Sequence, residues 1–127
     1  MAVYFKIQKA DQQKFNSTNM KFDHFTIRQL THDDSEKYFR LVDANRKRLE
    51  DFFAGTVAKT KTLEETKMFV FELLLKIEEK TFFPYGIFDD TSGKMIGYLH
   101  VFNFDRNIPK AEIGFFIDAQ YEGKGIT

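Results

Sequence analysis

Ala111-Glu112-Ile113-Gly114-Phe115-Phe116-Ile117-Asp118, then Ala119-Gln120, then Tyr121-Glu122-Gly123-Lys124-Gly125-Ile126-Thr127: this stretch decides how the chain reads. Its first half reads as a strand, Lys110–Ile117, with Glu112 opposite in pleat to Ile113. Its second half is a glycine-rich turn. A strand that runs into such a turn and on toward a helix is a general device for holding phosphate. Glycine lets the backbone approach the ligand, successive amide N–H groups converge on it, and a helix start adds its positive end. Gly-Lys-Gly alone is a weak signal, because short glycine clusters mostly make ordinary turns. The spacing matches neither a P-loop nor the GxGxxG dinucleotide pattern.

Upstream of this stretch the pattern is strand, helix, helix, strand, strand. Phe25 and Ile27 alternate with Thr26 and Arg28 as in a half-buried strand. Thr31, with Asp34 at capping-box spacing, predicts a helix start, and Tyr38, Leu41, Val42, Leu49 and Phe53 follow at helical spacing until Gly55. Thr62 with Glu65 predicts a second helix, with Leu63, Val70, Leu74 and Ile77 on one face. Met68, Phe69, Phe71, Leu73 and Leu75 broaden that face, so the helix is expected to be buried on much of its circumference. Phe82–Phe88 carries Pro84, the mark of an edge, a bulge or a strand start. Asp89-Asp90-Thr91-Ser92-Gly93-Lys94 is a turn that makes a hairpin with Met95–Phe102. Residues 1–20 read either as an N-terminal extension with a short strand at Val3–Ile7 or as upstream sequence before Met20.

Composition narrows the function. Nineteen basic and 19 acidic residues cancel, which argues against a general nucleic-acid binder. The chain has no cysteine, so thiolate catalysis, disulfides and Cys-based zinc sites are excluded. No apolar run reaches the roughly 20 residues of a spanning helix, and a cytoplasmic protein is expected. The 16 phenylalanines read as core. No histidine–carboxylate spacing suits a metal, and no serine sits in a nucleophile context. His100, among Leu99, Val101 and Phe102, is expected to be a satisfied, half-buried side chain. Arg46-Lys47-Arg48, surrounded by Asp43, Glu50 and Asp51, is expected to be a solvated helix face.

The Ala111–Asp118 and Tyr121–Ile126 phrases closely resemble motif A of the GNAT superfamily of acyl-CoA N-acyltransferases. The branch that includes ribosomal-protein N-terminal acetyltransferases is the nearest likeness. Phe25-Thr26-Ile27-Arg28-Gln29-Leu30 resembles that family's opening strand, and Gly93-Lys94-Met95-Ile96-Gly97-Tyr98 its middle strand, so the likeness spans about residues 22–127. It implies an α+β, three-layer fold with a mostly antiparallel sheet. It also implies an N-acetyltransferase moving an acetyl group from acetyl-CoA to a primary amine, a protein N-terminus or a small amine. In such enzymes, backbone groups near Phe115, Phe116 and Ile117 would pair with the pantetheine arm. Amides of Glu122, Gly123, Lys124, Gly125, Ile126 and Thr127 would take the pyrophosphate. The family usually has Gln or Arg at the Glu122 position. An ionised Glu122 repels phosphate, so its side chain is expected to face solvent.

Glu112 is the candidate general base, with a solvated or structural carboxylate, paired to Arg28 or Lys110, as the other reading. Relative to the family, the chain is expected to be cut at motif A, without the helix and strands that follow. The edge of the last strand and the apolar faces meant for those elements would then be open. The chain alone is accordingly expected to be weakly folded or inactive, and to associate through that edge. A non-catalytic CoA-binding remnant or a small interaction module are the alternatives.

Overall fold

The computed structural model describes residues 3–8, 20–22, 24–80, 82–102 and 110–121, with side chains at 21, 24–80, 82–102 and 113–121. Six strands form one sheet: β1 (Val3–Gln8), β2 (Met20–Phe22), β3 (Phe25–Gln29), β4 (Phe82–Asp89), β5 (Met95–Phe102) and β6 (Lys110–Ile117). Their spatial order is β1-β6-β5-β4-β3-β2, and every neighbouring pair is antiparallel. Between β3 and β4 lie the helices α1 (Ser35–Asp43), α2 (Arg46–Leu49), α3 (Ala54–Ala58) and α4 (Leu63–Leu75).

The two faces of the sheet bury different sets of residues. Tyr98, Phe116, Phe88 and Met95 pack with Tyr38, Leu41, Val42, Leu49, Phe53, Val70 and Leu73 of the helical segment. Tyr85, Ile87, Ile96, Leu99, Val101, Ile113 and Ile117 form the second cluster, joined by Phe25, Ile27, Phe83, Phe115 and Tyr121. Alternation along the pleat produces this split, and one irregularity between Ile87 and Phe88 lets Met95 and Phe88 stay on the helical side. Gly86 is required beneath Phe88, since a Cβ there would stand 2.6 Å from Phe88 Cε2.

Five of the six strands match their expected spans closely, including Val3–Gln8 for the short N-terminal strand, whereas β2, Met20–Phe22, was not expected. Pro84 sits near the start of β4, beyond the Gln29–Tyr85 pair that ends β3, so the strand-start reading of that proline applies. Gly93 takes φ +76° in the hairpin turn and donates to the Asp89 carbonyl at 2.7 Å.

Three expectations are corrected. The first helix does not run to Gly55; it stops at Asp43, and Gly55 lies inside α3. Asn45 leaves helical geometry at φ −130°, and its Nδ2 donates to the Leu41 carbonyl at 2.8 Å, competing with the backbone ladder. The second helix is buried on one side only: Thr66, Val70 and Leu73 face the core, whereas Met68, Phe71 and Leu75 are 64%, 47% and 49% exposed. Thr62 caps it by accepting from Glu65 N at 3.1 Å.

The third correction concerns the last strand. β1 lies along the edge expected to be open, in register from Val3–Phe115 to Gln8–Lys110. Over those residues β6 has neighbours on both sides and offers no unpaired ladder for self-association. The apolar face of the second cluster is likewise buried, with Val101 and Ile117 each 1% exposed.

Candidate functional site

The C-terminal end of β6 is held more tightly than a strand end needs to be. Phe116 is 1% exposed, its ring 5.7 Å from that of Tyr98 and 5.1 Å from that of Phe53. Ile117 pairs with Gly97, where a Cβ would stand 2.8 Å from Ile117 Cδ1 and 2.9 Å from Ile87 Cδ1. The glycine lets three strands close beneath these two side chains. Phe115 is half-buried on the same face as Ile117 and Ile87, opposite Phe116.

Beyond Ile117 the chain makes a single 3-10 turn, Ala119–Tyr121. Asp118 N donates to the Ile96 carbonyl at 2.8 Å, Ala119 N to Asn45 Oδ1 at 3.1 Å, and Gln120 N to Asp118 Oδ1 at 3.0 Å. Tyr121 folds back over the sheet, its ring edge-on to Phe25 and its hydroxyl donating to Asp89 Oδ2 at 2.9 Å. The Thr91 N–H and this hydroxyl hold the Asp89 carboxyl below its ordinary pKa, and the same bond pushes the Tyr121 phenol up. Strand, turn and aromatic latch therefore fix the chain as far as Tyr121. Glu122, Gly123, Lys124, Gly125, Ile126 and Thr127 themselves lie outside the described residues.

Glu112 stands in β6 opposite Phe102 on one side and Lys6 on the other, and its side chain is outside the described set. Its suggested partner Arg28 is engaged elsewhere. Arg28 lies on β3, with β4 and β5 between it and β6, and forks onto Asp34 at 2.8 and 2.9 Å.

Against the helical side of β5 lies a cavity of about 280 Å³ whose lining includes Phe52, Phe53, Phe69, Phe82, Tyr98 and His100, with Lys59 and Lys76. Phe53 connects it to β6, because its ring meets both Phe116 and His100. His100 is half-buried, as expected, and its Nδ1 lies 3.1 Å from the Tyr98 hydroxyl. Burial, helped by the charge of Lys76, lowers its pKa to about 4, so the ring is neutral at pH 7.

This depression has a measurable sign. Between about pH 6.5 and 4 the unfolded chain takes up a proton at this histidine that the folded chain refuses, so stability falls as pH drops through that window. The expected loss is about 2–3 kcal/mol. Urea titrations from pH 7 to 4.2 should show it, and His100→Gln should flatten the profile in that range. A His100→Gln profile as steep as the parent's would refute the assignment.

Of the three basic residues expected on a solvated face, Lys47 and Arg48 are exposed and Arg46 is half-buried, but both arginines are tied to distant groups. Arg46 Nε pairs with Asp43 Oδ1 at 2.8 Å, and its guanidinium also donates to the Val57 and Thr60 carbonyls. Arg48 Nη1 donates to Asn45 Oδ1 at 2.8 Å and to the Ile117 carbonyl at 3.2 Å. Asn45 had no signal in the sequence, because helical spacing runs on across it to Leu49 and Phe53. Among the described residues no group of His, Asp or Glu is arranged to hold a metal ion, and no helix is long and apolar enough to cross a membrane.

The family model of the acetyltransferase (GNAT) domain matches residues 24–127. The chain belongs to the GNAT acetyltransferase family. YdaF of Bacillus subtilis (strain 168), named as a putative ribosomal N-acetyltransferase, is 32% identical over 106 residues, 82% of this chain and 56% of YdaF. Among solved structures, the ribosomal-protein-S5-alanine acetyltransferase from Vibrio fischeri matches with TM-score 0.72 at 21% identity, covering 87% of this chain and 61% of that one. RimL, a ribosomal L7/L12 alpha-N-protein acetyltransferase solved with coenzyme A, matches with TM-score 0.69 at 19% identity, covering 86% and 60%. The GNAT chain described here thus spans somewhat more than half the length of the relatives it matches. The antiparallel α+β fold implied by the sequence is the fold of these structures.

Proposed function

We propose that this GNAT chain binds acetyl-CoA at the end of β6 and serves the transfer of its acetyl group to a primary amine. The acceptor is a protein N-terminus, as the names of its ribosomal relatives suggest, or a small amine. The observation that supports the reading is the fixed course of the chain from β6 through Asp118–Tyr121, which Glu122-Gly123-Lys124-Gly125 follows in sequence. Glycine-rich backbone at that point suits a pyrophosphate. Phe116 and Ile117 extend past the Val3–Phe115 pair, the last between β1 and β6, so the pantetheine arm would pair there rather than at Phe115.

In the reaction, the neutral amine nitrogen attacks the thioester carbonyl carbon and the C–S bond breaks, releasing CoA as thiolate. The proton leaves the amine through water to a carboxylate, for which Glu112 is the proposed base. An α-amine has a pKa near 8, so weak base assistance is enough. The cavity at Phe53 and His100 is the proposed place for the acceptor; a neutral His100 adds no charge to repel an ammonium before it is deprotonated. The reading keeps the protein in the cytoplasm.

Isothermal titration of the 127-residue chain with acetyl-CoA tests the binding step. Because β1 covers the β6 edge and the second cluster is buried, the premise for a weakly folded or inactive chain is gone. The parent is expected to bind, and Gly125→Val, which places a branched side chain where backbone must approach phosphate, to bind at least about tenfold more weakly. No binding by the parent, or equal binding by Gly125→Val, would sink the reading.

A further inference from the structure

We propose that Asn45 and Arg48 are positioning residues for the acetyl-CoA site: a clasp from the α1–α2 turn that sets where the chain leaves β6. The proposal rests on the acetyl-CoA reading given above. Asn45 is 2% exposed, and three groups share its amide. Nδ2 donates to the Leu41 carbonyl at 2.8 Å, while Oδ1 accepts from Arg48 Nη1 at 2.8 Å and from the Ala119 N–H at 3.1 Å. Arg48 Nη1 reaches on to the Ile117 carbonyl at 3.2 Å. One buried side chain thus joins the end of α1, the exposed Arg48 and the first residues after β6, from 74 positions away in sequence.

A buried amide is costly unless its hydrogen bonds are made, and here they are made to backbone and to a cation, the stronger kind. For filling space alone, an apolar side chain at this position would serve. What the amide adds is a fixed acceptor for the Ala119 N–H, opposite the bond from Asp118 N to Ile96. The turn is therefore gripped from β5 on one side and from the helical segment on the other. The same segment continues through the bond from Phe53 N to the Leu49 carbonyl, and Phe53 lines the proposed acceptor cavity. A shift of the clasp would be felt on both sides of β6.

Hydrogen exchange of the full 127-residue chain, read residue by residue without ligand, tests the clasp, and titration with acetyl-CoA tests its purpose. Arg48→Ala is expected to speed exchange of the Ala119 amide about tenfold and Asn45→Ala by more, with the amides of β4 and β5 unchanged. Acetyl-CoA affinity should fall about three- to tenfold in Arg48→Ala, and Arg48→Lys should recover part of it because one donor is restored. Arg40→Ala, which removes only the exposed Glu36 pair, should match the parent in both. If Asn45→Ala also loses protection in β4 and β5, it has unfolded, and Arg48→Ala decides. Unchanged Ala119 exchange in Arg48→Ala overturns the clasp while leaving acetyl-CoA binding in place. Faster exchange with unchanged affinity overturns its positioning role. A parent chain that binds no acetyl-CoA removes the functional reading, and the positioning role with it.

Discussion

Asp34→Ala is expected to cost the fold about 3 kcal/mol, seen as a fall in the urea midpoint at pH 7 with little change in slope. Asp34 is 3% exposed and carries four hydrogen bonds. Arg28 forks onto both oxygens at 2.8 and 2.9 Å, and Thr31 donates through its N–H at 2.8 Å and its hydroxyl at 3.0 Å. Removing the carboxylate leaves the Arg28 charge stacked 4.0 Å above the Phe88 ring without its counter-ion, and leaves the helix entry uncapped. The partial exposure of Arg28, 30% by side chain, keeps the cost below that of a fully buried pair. Burial pushes the Asp34 pKa up, but the bonds from Arg28 and Thr31 outweigh it and leave the carboxyl below its ordinary value. Its stabilisation is therefore present above the ordinary carboxylate range and lost as pH falls through the lowered folded value, a window beneath that of His100. Asp34→Asn, which keeps the shape and one acceptor, should cost less than Asp34→Ala. A loss under about 1 kcal/mol for Asp34→Ala would show the pair to be idle.

Glu112→Gln is expected to lower turnover about 10²–10⁴-fold in acetyl transfer to an amine, with acetyl-CoA affinity unchanged. The substitution keeps size and strand geometry and removes only the capacity to take a proton. Substitution of a carboxylate that merely sits at a strand position would change rate by less than threefold or so, and stability by a few tenths of a kcal/mol. The rate measured against pH separates the two further. A parent that relies on a carboxylate should keep its rate advantage over Glu112→Gln down to about pH 5, where the carboxylate is still ionised. An advantage that vanished at neutral pH would exclude Glu112 as the base.

The strands were legible because each carries its own evidence: alternation at Phe25–Arg28, short apolar runs of strand length in Met95–Phe102 and Lys110–Ile117, and turn chemistry between Asp89 and Lys94. The second helix was legible from its Thr62 cap. Its burial was not, because Met68, Phe71 and Leu75 have the same hydrophobicity whether or not anything covers them. The break at Asn45 was also hidden. Helical spacing continues across it through Leu49 and Phe53, and only a partner at Ala119 makes the amide worth burying there. The bonds of Arg46 and Arg48 were hidden for a related reason, since the carbonyls that recruit them, Thr60 and Ile117, are remote in sequence.

Periodicity and caps are local properties, and they placed strands and helices along the chain. The α+β class and the family were implied by the resemblance of the Ala111–Ile126 phrases to motif A, and the family match over residues 24–127 shows the family. Pairing is not local. Which strand lies beside β6, and that it is β1 from the other end of the chain, depends on backbone hydrogen bonds that carry no residue-type signature. The grip on the turn at Ala119, the aromatic contact from Phe53 to both Phe116 and His100, and the neutral state of His100 arise in the same way. Each depends on groups far apart in sequence becoming neighbours, where burial and a nearby charge first act on them.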